Sequence, residues 1–176
     1  KLSTSDYGHF LIDLATKYND ALLVVENNNI GWATLQTIID RGYKNLFYQS
    51  KDLKYVDTEN QLNTNKYRAQ DRNMVAGFST TMKTKPLIIA KMEEYTREKL
   101  VKLHSNRLID ELFVFIYKTG ITNAKAEAMQ GYNDDLVMSY SIALWIRDTA
   151  LRLQTDRNNQ QWAMMDTMLK SNGNKV

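Results

Sequence analysis

The sequence predicts an α/β fold, and three observations lead there. A continuous apolar run at residues 21–25 ends abruptly in Glu26 and three asparagines, as a buried strand does when it delivers its last side chain to a polar edge. Stretches with apolar residues at three- and four-residue intervals flank it, giving the order helix, strand, helix, strand over the first fifty residues. The chain of 176 residues, 43% hydrophobic with ten tyrosines and three tryptophans, has the size and composition of one domain with its own core.

The elements follow in order. Ser3 and Asp6 have capping-box spacing, and Tyr7, Phe10, Leu11, Leu14, Ala15 and Tyr18 then recur with helical period, so residues 4–18 are predicted to form an amphipathic helix. Asn19 and Asp20 make a turn before the strand at 21–25. Ile30, Ala33, Leu35, Ile38 and Ile39 predict a second helix closed by Arg41-Gly42. A short strand around Leu46-Phe47-Tyr48 comes next. Residues 50–74 are polar without a sustained period and read as an excursion loop, followed by a brief strand at 74–78. A long helix is expected from about 85 to 103, with Pro86 in its first turn and Ile88, Ile89, Met92, Tyr95, Leu100 and Leu103 on its buried side. Residues 105–118 divide at about Glu111 into a helical and an extended part, because Phe113-Val114-Phe115-Ile116-Tyr117 favours a strand. Residues 120–131 are a linking loop, and Asn133-Asp134-Asp135 opens another helix. Trp162, Met165 and Leu169 mark a last amphipathic segment before a polar end.

Composition excludes several chemistries. There are no cysteines and two lone histidines, so neither thiolate zinc sites nor histidine clusters are available, and a metal would be held by oxygen. No apolar run approaches the roughly 18 residues of a membrane span, and the first twenty residues lack a signal-peptide core, so a soluble, intracellular protein is expected. A net charge of +3 and a pI near 8.9 tolerate a polyanionic partner without demanding one. There is no G-x-x-x-x-G-K-[ST] loop.

Glu26 is the sharpest candidate residue. Taken alone, it is as well explained by a solvent-facing acid or a cap for the next helix, and Asp134 and Asp135 by ordinary helix capping. Taken together, one acid at a strand end and an acid pair opening a late helix are how oxygen-ligand sites for Mg²⁺ or Mn²⁺ are assembled. Lys83 and Lys85, with Ser79, Thr80 and Thr81, offer donors suited to a phosphate backbone, and the helix start at 85 is expected to add free N–H groups. The basic cluster Lys66, Arg68 and Arg72 around Tyr67 reads first as a solvated loop.

Three stretches together carry a resemblance: Leu22-Leu23-Val24-Val25-Glu26-Asn27-Asn28-Asn29-Ile30-Gly31; Gly77-Phe78-Ser79-Thr80-Thr81 with Thr84-Lys85-Pro86; and Gly131-Tyr132-Asn133-Asp134-Asp135-Leu136-Val137-Met138-Ser139. In that order they resemble the nuclease domain of the large terminase subunit of tailed bacteriophages, of the myovirus type, over about residues 1–150. The resemblance implies an RNase H-like nuclease fold over residues 1–155, with 156–176 as a C-terminal helical and polar tail. It also implies metal-dependent endonuclease activity, in which double-stranded concatemeric DNA is cut by two-metal hydrolysis during genome packaging. Glu26 matches the family's strand-end acid, and its late-helix acid falls within Asp134-Asp135, with Asp134 slightly favoured. Thr80, Thr81, Lys83 and Lys85 carry over as DNA-backbone contacts. Implied partners are DNA, the packaging ATPase domain, the portal protein and the small terminase subunit, in the cytoplasm of an infected bacterial host.

The departure is as informative. The family's first acid is an aspartate on a first strand, for which this sequence has no counterpart, so the chain resembles the second half of the fold and is expected to be inactive by itself. The strand at 21–25 is then expected to expose an apolar edge. Alternatives are another RNase H-like nuclease of resolvase or integrase type, or a non-catalytic DNA-binding or motor-docking module.

Overall fold

A computed structural model describes residues 2–50, 74–118 and 125–147. Helix α1 spans Thr4–Lys17. As the capping-box spacing predicts, the Ser3 hydroxyl accepts the Asp6 amide and donates to the Asp6 carboxylate, satisfying one of the amides that a helix start leaves open. Helix α2 spans Gly31–Asp40. The two helices approach closely at Gly8, where a Cβ would sit 3.0 Å from the Thr37 side chain.

That approach rotates α1 from the face its pattern predicts. Gly8 and Ala15 are buried and Leu11 and Ile12 pack beside them, whereas Tyr7, Phe10, Leu14 and Tyr18 form an exposed stripe. Small residues win the interface because they admit the neighbouring helix, and the larger side chains are left on the adjacent face.

Residues 21–27 run extended between two apolar clusters. Leu22 and Val24 pack on a cluster containing Phe47, Phe78, Ile88, Met92, Val137 and Ile142; Leu23 and Val25 pack on one containing Leu35, Ile38, Leu46 and Ala76. This alternation is that of a strand between two layers. Its backbone bonds lie on one side. The Leu23 amide donates to the Asn45 carbonyl and the Leu23 carbonyl accepts from Phe47, both at 2.9 Å. The Val25 carbonyl accepts from Phe78 at 2.8 Å, and the Asn27 amide donates to the Phe78 carbonyl at 3.0 Å. These contacts are parallel bridges, Leu23 with Leu46 and Glu26 with Phe78, rather than the longer ladder the apolar run predicts. The backbone groups of Leu22, Val24 and Glu26 point to the other side and have no hydrogen-bond partner among the described residues. The segment is half-buried, not covered on both sides.

Strand β1 (Tyr48–Ser50) pairs antiparallel with β2 (Met74–Ala76). Gly77, at φ +80, then redirects the chain, so that Ala76 faces one cluster and Phe78 the other. A Cβ at Gly77 would lie 2.4 Å from the Val25 carbonyl oxygen, and the positive φ is itself glycine's preserve.

Helix α3 (Thr84–Arg97) buries Ile88, Ile89, Met92 and Tyr95, as its spacing predicts. It ends about six residues earlier than expected. Lys99 takes a left-handed φ of 54 and the Leu100 amide returns to the Tyr95 carbonyl, a wrap that closes a helix and leaves Leu100 exposed. Helix α4 (Asn106–Phe113) and strand β3 (Phe115–Lys118) divide at Val114, three residues later than Glu111. The expected loop at 120–131 contains strand β4 (Lys125–Ala128), antiparallel to β3. Residues 135–147 are helical and are called α5.

The architecture is thus mixed α/β, with its named strand pairs antiparallel and parallel contacts only at bridges. The excursion loop, the Lys66, Arg68 and Arg72 cluster, the Trp162 segment and the proposed boundary near 155 lie outside the described residues. Among the described residues no helix is long and apolar enough to cross a membrane.

Candidate active site

Glu26 is held in place by its backbone and neighbours. The bonds of its neighbours Val25 and Asn27 to Phe78 fix its backbone from one side. Its carbonyl is overlaid by Gly31 at the start of α2, where a Cβ would fall 1.8 Å from the Glu26 oxygen. The carboxylate Oε1 accepts a 3.0 Å hydrogen bond from Asn28 Nδ2, which also donates to the Thr80 carbonyl at 3.1 Å. Glu26 does not cap α2, whose cap position is Ile30 without a side-chain bond.

Beneath it lies a buried polar bracket. Asn27 Nδ2 donates to the Ala76 carbonyl, Asn27 Oδ1 accepts from the Ser79 hydroxyl, and Gln49 Oε1 accepts the Ser79 amide at 2.6 Å. Asn27 and Gln49 are both almost fully buried, so these bonds satisfy groups that would otherwise be costly to desolvate. The bracket ties the end of residues 21–27 to β1 and to the turn after β2. Three asparagines in succession were the visible signal of this network; the partner at Gln49 had none.

Asp134 and Asp135 open α5. Asp134 occupies the cap position, its carbonyl accepting the Met138 amide at 2.8 Å. Its carboxylate is not used for capping. Oδ2 lies 3.7 Å from Lys85 Nζ, with both side chains partly buried. The Leu136 and Val137 amides instead donate to Glu111 Oε2 from α4. Glu111 was invisible to sequence reasoning because its role depends on a contact across 25 residues.

Glu26, Asp134, Asp135, Lys85 and Thr80 line one cavity of about 910 Å³, together with Asn28, Tyr7, Leu22, Val24, Met138, Ile142 and Arg147. Residues 22–26, with the unpartnered backbone groups of Leu22 and Val24, form part of its lining. Its walls are apolar and its charged lining is three carboxylates against two cations. The Thr80 hydroxyl is buried without a hydrogen-bond partner among the described residues.

Two of the expected phosphate-binding features take other roles. The Thr81 hydroxyl accepts the Lys83 and Thr84 amides and its carbonyl accepts the Lys85 amide. With Pro86 lacking an N–H, the first turn of α3 is closed upon itself, and the expected free N–H groups are occupied. Lys83 is exposed and, like Thr81, is not part of the cavity lining. Lys85 and Thr80 are.

For a divalent cation the donors are of the right kind, hard carboxylate oxygens without sulfur or imidazole. Among the described residues no three acidic or histidine groups stand close enough to form one coordination cluster. Sharing a cavity is a looser relation than sharing a coordination sphere, so Glu26 and the aspartates are cavity neighbours rather than a preformed cage. Comparison with protein-family models, curated proteins and solved structures gives no match to this chain.

Proposed function

We propose that the chain carries the second half of a metal-dependent DNA endonuclease domain of RNase H-like type, as in the large terminase subunit of tailed bacteriophages. The observation that carries this reading is the convergence of Glu26 with Asp134 and Asp135, from elements more than a hundred residues apart in sequence, on one cavity beside an unpaired strand edge. Glu26 and one of the two aspartates would hold Mg²⁺ or Mn²⁺. Such ions, when bound, activate water and stabilise the leaving oxygen of a phosphodiester.

The remaining roles follow from the residues around them. Asn28 orients the Glu26 carboxylate, and Lys85 offsets the charge of Asp134 and presents a cation towards a phosphate. Thr80 brings an uncommitted hydroxyl. The third acid of the proposed site would belong to a strand lying along residues 22–26, where the backbone groups of Leu22 and Val24, without a hydrogen-bond partner among the described residues, support such a pairing. The packaging ATPase, portal and small terminase subunit are partners within the same proposal.

The test is cleavage of supercoiled plasmid in Mg²⁺ or Mn²⁺ by this chain extended upstream to include an aspartate-bearing strand. Cleavage is expected, and Glu26→Ala is expected to abolish it. Undiminished cleavage by Glu26→Ala would remove Glu26 from the site. The Lys85 ammonium beside Asp134, which gives that carboxylate a partner without a metal, favours a second reading, a non-catalytic DNA-binding or docking module, which predicts DNA binding by the extended chain without metal uptake.

A further inference from the structure

A helix start leaves amides without intrahelical partners, and an aspartate at the cap position ordinarily turns its carboxylate back to the second or third amide of the helix. Asp134 is at the cap position of α5, and those amides belong to Leu136 and Val137. Both are already taken, at 2.8 and 3.4 Å, by one oxygen of Glu111. The Asp134 carboxylate faces Lys85 and the cavity instead.

Glu111 is an unfavourable residue for its own helix. It lies in the last turn of α4, where the partial negative charge of the helix end disfavours an acid. At the start of α5 the same carboxylate is favoured by the opposite helix pole. Leu108 and Leu112, packed on the larger apolar cluster, fix the face of α4 that carries it. Its carboxylate is thus disfavoured by its own helix end and favoured by the start of α5.

We infer that Glu111 is a positioning residue: by capping α5 in place of Asp134, it keeps the Asp134 carboxylate turned into the cavity. The consequence for metal holding rests on the function proposed above; the capping exchange itself does not. Without Glu111, Asp134 is the nearest replacement acceptor and turns inward to its own helix, leaving the cavity.

Amide hydrogen exchange at Leu136 and Val137, in the metal-free 176-residue chain, tests the exchange of roles. Glu111→Ala alone should accelerate exchange by no more than about threefold because Asp134 takes over, whereas Glu111→Ala with Asp134→Ala should accelerate it about tenfold or more. A single Glu111→Ala that exchanges as fast as the double variant, or fails to fold, overturns the inference, since Asp134 then does not stand in. A double variant that exchanges like the wild type also overturns it.

Mn²⁺ titration supplies the second arm. Glu111→Ala should weaken Mn²⁺ binding about tenfold, while Glu111→Gln, which keeps an acceptor oxygen, should stay within about threefold of wild type. Wild-type Mn²⁺ affinity in Glu111→Ala overturns the positioning role. A wild-type chain that takes up no Mn²⁺ counts against the metal reading, and the exchange comparison still decides the role of Glu111.

Discussion

At the scale of single residues, Gly31 shows how tightly the position of Glu26 is specified. Alanine is ordinarily the better helix former by up to about 1 kcal/mol, yet its Cβ would lie 1.8 Å from the Glu26 carbonyl oxygen. The contact is with backbone, so relief requires α2 or residues 26–30 to move. The clash outweighs the propensity gain, and Gly31→Ala is expected to destabilise the chain by about 1–3 kcal/mol, measured by urea unfolding. Stability equal to or above wild type would show that the start of α2 is not packed against Glu26 as described. The same close approach explains why the carboxylate has a defined partner in Asn28 although it sits at the end of a segment bonded on one side only.

At the scale of elements, the β3–β4 hairpin joins Glu127 to Lys118 across the strand pair and to Lys125 on its own strand. The Lys118 hydrogen bond foremost, then that of Lys125, pulls the Glu127 carboxyl down to about 2 from 4.5. A folded-state pKa below the unfolded one means that this cross-strand contribution is present above about pH 4.5 and is lost as pH falls towards 2. Because the pair lies on the surface, its effect on global stability is small, and the carboxyl titration is the better measure. A midpoint near 2 by NMR, moving up towards the ordinary value in Lys118→Ala, is expected; an ordinary midpoint in the wild type would show that the cross-strand bonds do not persist.

The same scale shows what the sequence could and could not convey. Helices α1, α2 and α3 announce themselves by period and by their caps, and the acid pair announces the start of α5. Strand β4 does not, because Lys125-Ala126-Glu127-Ala128 lacks the β-branched and aromatic residues that mark strands and is extended by pairing with β3. The face of α1 was misread for a related reason: periodicity reports which residues share a stripe, while Gly8 and Ala15 decide which stripe another helix can reach.

At the scale of the whole molecule, two apolar clusters flank the extended segments, and residues 22–26 lie between them and line a cavity. Glu26, Asp134, Asp135 and Lys85 were legible as candidates, and all four line that cavity. Thr81 and Lys83 were candidates of the same strength, yet α3 uses the Thr81 hydroxyl and the Lys83 amide for its own cap. Local composition identifies donors; only the fold decides whether they are spent on the backbone or left for a ligand. Glu111 and Gln49 illustrate the converse, residues with no local signal that tertiary contacts bring to backbone amides beside the cavity residues.

On the proposed function, Glu26 and the aspartates opening α5 belong to one metal-holding site. Calorimetric titration of Mn²⁺ into the chain, beside Glu26→Gln and Asp134→Asn, Asp135→Asn, tests it most directly. Uptake by the wild type is expected, weakened at least about tenfold, or about 1.4 kcal/mol, by Glu26→Gln and by the more damaging of the two aspartate substitutions. Equal Mn²⁺ affinity in the wild type and all three variants would contradict it.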